Sequence, residues 1–436
     1  MRRCVLTRVS NTDLICKSIF SSKSYSKKVK IKGWIASKYQ DYILLRNYCC
    51  FIKCYTDRDK HSELYNLPLE TLIEVEGVLK NDCLKLYTYK VLFKPVNERK
   101  VDYLKTDIEP VEFARNSIWY FRNPLFKYTV IIQFHILRYV REYLVKNGFV
   151  ELLPVLISPS SDPGLRGARK LKTTYYGVEY ELTSSLIMYK QLSVAIFPKI
   201  FYVARNIREE PVENIETNRH LCEFTQIDIE QAHSDIDTVM KIAEKLLYFV
   251  TKKIADKYSD IITERIGLRR EPVVLKPPFP RITYDEAIEL ASRLGFSIKW
   301  GCELSYEAEK ALSNYFKTPI WITNYPTISR GFYYLPLEND PRYNQDFNLI
   351  LPDGYGEVID GGSREYRYEF LNERIKKLGE PIEKYSWFLE LAKQGALTPS
   401  SGWGLGLERL TMYLTGHKNI VYTTMYPKPP GLVNVI

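Results

Sequence analysis

Apolar residues change their period once along this chain, and the change divides it in two. From Lys28 to about Pro95 they come in short runs parted by turn material: Val29–Ile35, Tyr42–Tyr55, Leu72–Val78 and Cys83–Phe93. About four or five strands at this spacing predict a small β-barrel of the oligonucleotide-binding type, bearing Gly33-Trp34 and Val75-Glu76-Gly77. Beyond Val111 the period turns helical, with Val130, Ile131, Phe134, Leu137, Val140, Leu144 and Val145 on one face. This predicts a helix over 126–146 that ends at Asn147-Gly148. Phe149–Ile157 then reads as an extended segment that Pro154 confines to an edge, a surface suited to a second subunit. The expected division is a basic N-terminal segment 1–27, a barrel 28–100, a linker 101–115 and a large second domain 116–436.

Composition excludes several classes. With 436 residues, 45% hydrophobic and 26% charged, the chain is globular and long enough for about two to three domains. Its most apolar run, Tyr128–Leu137, is broken by Gln133 and His135, well short of the roughly 20 apolar residues of a membrane span, so a soluble, cytoplasmic protein with no membrane partner is expected. Lys and Arg number 62 against 52 Asp and Glu, and the net charge of +10 suits a polyanionic partner. The eight cysteines form no Cys-x-x-Cys pair, which argues for a reducing compartment. Cys49, Cys50 and Cys54 read as buried strand thiols rather than zinc ligands. The first 30 residues hold a single acid, Asp13; a cytosolic terminus is expected, an organelle transit peptide being the alternative.

Further on, strand-like Lys199–Val203 and Glu223–Ile229 flank a polar loop 209–218, making a long hairpin. A helix over 235–257, a less regular region 263–325, strands at Tyr343–Leu351 and Gly356–Ile359, and a helix over 365–378 follow. The chain closes on a glycine-spaced strand, Gly402–Gly406, that runs into a helix.

Three segments place charge and glycine where packing alone does not ask for them. Arg208-Glu209-Glu210 and, across the loop, Arg219-His220 with Glu223-Phe224 offer two guanidinium forks for phosphates and an aromatic face for a base. A surface ladder of ion pairs is the alternative. In Gly356–Glu365, Glu357 and Asp360 can converge on a hard cation such as magnesium carrying nucleotide phosphates, unless the segment is a solvated acidic turn. Gly402-x-Gly-x-Gly406 ahead of Glu408-Arg409 lets a ligand approach the backbone but lacks the spacing of a dinucleotide fingerprint.

Taken in order, these segments resemble the class II aminoacyl-tRNA synthetases, and within them the aspartyl/asparaginyl group, from about residue 28 onward. Residues 148–154 resemble motif 1, 208–230 motif 2 and 402–410 motif 3. The resemblance implies an α+β fold in which an antiparallel sheet with flanking helices follows the oligonucleotide-binding barrel, and a homodimer made through motif 1. It implies ATP and Mg2+ as cofactors, with Arg208 and Arg409 as catalytic cations. Arg208 would hold the α-phosphate, Glu210 the adenine or ammonium side, and Arg219, beside His220, the γ-phosphate. Phe224 would stack on adenine with Arg409 on its other face, while Glu357 and Asp360 would bind the metal. In that chemistry a carboxylate attacks the α-phosphorus while cations neutralise the growing charge and the departing pyrophosphate.

The amino-acid site implied by the resemblance comprises Ser185, Lys190, Gln191 and Arg364. Lys190, in Tyr189-Lys190-Gln191, matches the lysine of the aspartyl signature and favours aspartate over asparagine, a solvated surface lysine being the alternative. Three departures stand against the pattern: Ile187 for a glutamine, Ser161-Asp162-Pro163-Gly164 for Glu-Gly-Gly-Ala, and Ser400 for a histidine. With Thr183–Gln191 these resemble the archaeal asparagine synthetases derived from the same group, which pass activated aspartate to ammonia. In the barrel, Ile43–Asn47 and Lys53 depart from the usual anticodon-reading residues, leaving Tyr48, Phe51 and Tyr55 to stack on bases. The expected activity is therefore ATP-dependent activation of aspartate (or asparagine) and transfer to tRNA. Transfer to ammonia is the alternative, and a non-catalytic RNA-binding paralogue is disfavoured because Arg208, Glu210, Arg219, Phe224, Glu357 and Arg409 occur together.

Overall fold

The computed structural model describes residues 27–433 and 435, apart from 49, 58, 81–82, 162–166 and 269–270. The basic segment up to residue 26, Cys49, and Asp162-Pro163-Gly164 of the altered loop lie outside the described residues. The chain forms two units, residues 1–107 with 122–124, and residues 108–121 with 125–436. The division falls within the stretch read as a linker, and the second half of that stretch is helical. A helix starts at Pro110, whose missing N–H costs nothing there, and the Glu109 carboxylate accepts from the amides of Val111 and Glu112.

In the first unit β1 (Lys27–Lys38), β2 (Tyr42–Arg46), β3 (Phe51–Tyr55), β4 (Leu72–Lys80) and β5 (Cys83–Phe93) close a barrel in the order β1-β2-β3-β5-β4. Alternation sends Ile43, Leu45, Ile52 and Cys54 inward and Tyr42, Arg46, Lys53 and Tyr55 outward. Cys50 and Cys54 are buried free thiols, and burial pushes the Cys54 thiol up to about 12. Tyr39 stacks on Tyr42 at 4.6 Å, Tyr55 lies 5.5 Å from Tyr42, and Lys53 stands over the Tyr42 ring, so the outer face carries an aromatic track.

The second unit is built on an eight-stranded sheet. Its strands are β6 (Val150–Glu151), β10 (Lys199–Ile207), β11 (Glu223–Ala232), β12 (Arg281–Thr283), β13 (Ile320–Thr323), β14 (Asp346–Leu351), β15 (Gly356–Ser363) and β16 (Ser400–Gly406), in the order β12-β13-β14-β15-β16-β11-β10-β6. Every pairing is antiparallel except at the two edges. A separate small sheet joins β7 (Ile157–Ser158), β8 (Lys172–Tyr175) and β9 (Val178–Leu182) in the order β7-β9-β8. Helix Ile236–Asp260 packs on the back of the main sheet, where the Trp403 indole N–H donates to the Val239 carbonyl. Helix Pro124–Lys146 forms where its period predicts, but it buries Ile132, His135, Ile136, Tyr139, Val140 and Leu144, so of the predicted face only Val140 and Leu144 are buried while Phe134 and Val145 are exposed. β6 occupies the sheet edge.

Region 263–325, which shows little regularity in sequence, holds two helices. Tyr284–Arg293 opens on a Thr283–Glu286 capping box, and Tyr306–Tyr315 on Ser305, whose hydroxyl accepts from the Ala308 amide. Both are amphipathic behind their caps, burying Tyr284, Ala287 and Ala291 in the first and Ala308, Glu309, Leu312 and Ser313 in the second.

Two buried histidines make stability depend on pH. His417 stacks on Phe126, meets the Thr129 hydroxyl at 2.7 Å, and has its pKa pushed down to about 3 by burial; burial likewise lowers His135, beside Tyr258, to about 4. Because the folded values lie below the unfolded one, the unfolded chain takes up protons first as pH falls. The contribution is intact above about pH 6.5 and is lost progressively toward pH 3, costing about 3 kcal/mol by pH 4 for His417 alone. Urea unfolding at pH 7 and pH 4 should show His417→Phe losing less stability over that interval than the parent chain.

Candidate functional site

The three glycines of β16 owe their spacing to the strands beside them. Gly402, Gly404 and Gly406 sit opposite Glu230, Asp228 and Gln226 of β11, and Gly404 and Gly402 also oppose Asp360 and Gly362 of β15. A Cβ on Gly402 would collide with Glu230, and one on Gly404 with Gln226 and, at 2.9 Å, with the Asp228 carboxylate. The side chains of β11 therefore lean across bare backbone, and the middle of the sheet is left hollow. The resulting cavity, about 390 Å³, falls in the range that holds a nucleotide-sized ligand.

Every residue that the resemblance assigns to nucleotide, metal or amino acid lines this cavity except one. Ser185, Lys190, Arg208, Glu210, Arg219, His220, Phe224, Glu357, Asp360, Arg364 and Arg409 face it. Gln191 is the correction: it is fully buried behind the wall, its amide donating to the Glu365 carbonyl at 2.9 Å, so it props the strand end beside Arg364 instead of meeting a ligand.

On one side of the cavity the groups are suited to phosphate and base. Arg208, just past β10, donates from Nε to the Ser184 carbonyl at 3.2 Å and lies 5.1 Å from the Phe224 ring. Arg409, at the start of helix Leu407–Thr415, donates to the Glu357 carbonyl (2.9 Å) and carboxylate (3.2 Å) and to the Arg219 carbonyl (3.3 Å). Burial holds its pKa below the usual arginine value. Glu210 accepts from Asn214 at 2.8 Å, and His220 Nδ1 lies 2.6 Å from the Thr217 hydroxyl, both stiffening the turn Val212–Thr217.

The two carboxylates read as metal ligands are not equivalent. Glu357 Oε2 accepts from Asn348 at 2.9 Å, whereas Asp360 is gripped by Arg330 at 2.6 Å and by the Tyr334 hydroxyl. Magnesium needs only one or two carboxylates when phosphates complete its shell, and Glu357 fits that role. Asp360 lines the same cavity and is ion-paired to Arg330 as Glu357 is to Arg409. Among the described residues no cluster of three or more His, Cys, Asp or Glu side chains is placed to hold an ion by itself. Asp346, behind Arg330, has its pKa raised by burial to about 7.

The opposite side is a charge-balanced pocket. Lys190 is buried, which disposes of the surface alternative, with Nζ 3.0 Å from Asp228 and 3.8 Å from Glu230. Arg364 Nε lies 3.0 Å from Glu230, and its Nη2 donates to the Gly402 carbonyl at 3.0 Å. Burial opposes its charge, yet Glu230 holds its pKa above the ordinary value. Ser400, where the family usually has histidine, donates its hydroxyl to Glu230 at 2.9 Å. Ser185 accepts from the Ile187 amide at 3.3 Å.

Asp228, Glu230, Glu309 and Arg330 were not singled out from sequence. A signal for the first two existed: in Gln226-Ile227-Asp228-Ile229-Glu230 every second residue is polar, so one strand face is chemically equipped and the other packed. Arg330 and Glu309 lie in segments with no such pattern.

Class II adenylate-forming ligases build their site on an antiparallel floor of this kind, and the present chain is a class II aminoacyl-tRNA synthetase in fold. Residues 109–430 match the model for class II tRNA synthetases (D, K and N), and the chain belongs to that family of ligases. The asparagine–tRNA ligase of Thermococcus gammatolerans is 29% identical over 420 residues, spanning 93% of this chain and 95% of its own length. That of Thermoplasma acidophilum is 29% identical over 431 residues, spanning 94% and 97%. Among solved structures, the asparaginyl-tRNA synthetase of Pyrococcus horikoshii complexed with asparaginyl-adenylate superposes with a TM-score of 0.82 at 25% identity, covering 94% of this chain and 96% of its own. No helix among the described residues is long and apolar enough to cross a membrane.

Proposed function

We propose that this chain activates asparagine or aspartate with ATP to the aminoacyl-adenylate and transfers it to tRNA. The observation that carries the reading is the hollow between β11, β16 and β15, with Arg208, Arg219 and Arg409 on its phosphate side and Lys190 and Arg364 on its side-chain side. Arg208 is placed for the α-phosphate, where charge develops as the amino acid's carboxylate attacks, and Phe224 offers the base a face. Bound magnesium supplies charge neutralisation at the phosphates, with Glu357 as its protein ligand.

The balance of the pocket favours asparagine. Two cations, Lys190 and Arg364, are met by two carboxylates, Asp228 and Glu230, so an added side-chain carboxylate is uncompensated. A carboxamide can accept from the cations and donate to the carboxylates. The names of the relatives point the same way. Aspartate remains the second reading, favoured by Lys190 itself, and with it transfer to ammonia, favoured by Ile187 and Ser400, which depart from the synthetase pattern and resemble the asparagine synthetases.

The aromatic face of the barrel, with Tyr42, Lys53 and Tyr55 outward, suits stacking on unpaired RNA bases. Exposed Val150 of the edge strand, with Leu153 and Leu156 in the chain that follows it, suits a second copy of the chain.

Purified protein is given ATP, magnesium and either asparagine or aspartate, and pyrophosphate exchange, aminoacyl-tRNA and free asparagine are followed together. Exchange and charging with asparagine support the first reading. Exchange with aspartate and release of asparagine when ammonium is supplied would replace it with the synthetase of free asparagine, and no exchange with either amino acid would remove both.

A further inference from the structure

Arg219 is not free to swing toward a phosphate. Its two terminal nitrogens both meet the carboxylate of Glu309, Nη1 on Oε1 and Nη2 on Oε2 at 3.0 Å, and its guanidinium lies 5.0 Å from the Tyr306 ring. Glu309 sits in the first turn of helix Tyr306–Tyr315, is almost fully buried, and also accepts from the Glu357 amide. Gly356, with φ of +75°, is what admits the pair: a Cβ there would collide with both Arg219 and Glu309. Burial pushes both groups toward neutrality, yet each holds the other charged, Glu309 below the usual carboxylate value and Arg219 above the usual arginine one.

A guanidinium has more N–H donors than one carboxylate can take. Arg219 Nε is buried with no hydrogen-bond partner among the described residues, and the bonds to Glu309 use one hydrogen of each terminal nitrogen and leave the other. We infer that Glu309 is a positioning residue: it fixes the plane of the Arg219 guanidinium so that the unspent N–H groups meet the β- and γ-phosphates, and it does not itself touch the nucleotide. This rests on the assignment of the cavity to ATP. Its consequence is selective by phosphate. The α-phosphate is left to Arg208, so ligands lacking the outer phosphates do not sense Glu309, whereas expulsion of pyrophosphate does, because a fixed fork stabilises developing charge that a mobile one must first be ordered to meet.

Binding of ATP and of AMP to the full chain is measured by calorimetry, alongside pyrophosphate exchange with the amino acid found to be active, for the parent and for Glu309→Gln. The amide keeps one acceptor and removes the charge. The expected result is AMP affinity unchanged, ATP affinity equal or tighter because Arg219 is less neutralised, and an exchange kcat lower by about 10- to 100-fold, the pattern of an interaction made in the transition state. Equal weakening of AMP and ATP would mean that Glu309 merely supports the cavity, and an exchange kcat within twofold of the parent would mean that Arg219 needs no orienting; either result overturns the inference. If the parent binds neither nucleotide, the ATP assignment falls and the inference falls with it. Should the amide variant melt well below the parent, Glu309→Asp gives the same comparison: the charge is kept but its reach shortened, and the kcat loss with unchanged AMP affinity is again required.

Discussion

Arg409→Ala lowers ATP–pyrophosphate exchange by about 10³-fold while leaving the fold intact, the size of effect seen when one preorganised donor to a developing charge is removed. Arg409 touches three things at once: the Glu357 carboxylate, the Glu357 carbonyl and the carbonyl of Arg219. Its loss removes a cation from the phosphate wall, frees the carboxylate assigned to magnesium, and loosens the turn that carries Arg219. Arg409→Lys restores charge without the fork and should recover only a small part of the rate. Exchange within tenfold of the parent for the alanine variant would remove Arg409 from the site.

The second large effect is on stability and recognition together. Arg364→Met strands Glu230, whose carboxylate is fully buried and otherwise met by Ser400 and, at 3.8 Å, by Lys190. Breaking such a pair by removing one partner costs about 3–5 kcal/mol, which urea unfolding should register. The double variant Arg364→Met with Glu230→Met fills the space with apolar groups and should regain most of that stability. Amino-acid activation stays absent in both, because the side chain of the substrate has lost the groups that read it. A double variant that also regains activation would show that the pair is scaffolding.

Much of this molecule was legible in its residues for reasons that can be named. The existence of helix Pro124–Lys146 and the short alternating runs of the barrel follow from periods of 3.6 and 2, which depend only on local geometry, whereas the helix face that is buried was set by its neighbours in the fold. Arg208, Arg219, Phe224 and Arg409 stand out through their order along the chain, which resembles the motifs of the class II synthetases. Helix Tyr306–Tyr315 did not stand out, falling within the stretch 263–325 that reads as less regular. Only the fold brings Glu309 beneath Arg219, 90 positions away in sequence, and buries both. Gln191 misled for the converse reason, a polar residue inside a recognisable signature that the helix turns toward the protein and not the ligand.

The sequence by itself determined the two-part organisation, the strands and helices with strong periods, and the identities of the cations available for phosphate. Tertiary structure decided which of the charges in the cavity are counterbalanced. Lys190 and Arg364 are counterbalanced by Asp228 and Glu230, Asp360 by Arg330, and Arg219 by Glu309, partners set on other strands and helices whose approach no local pattern encodes. A charge in a sequence is a potential ligand site, but in a buried cavity the net field at any point is the sum over neighbours that only the fold assembles.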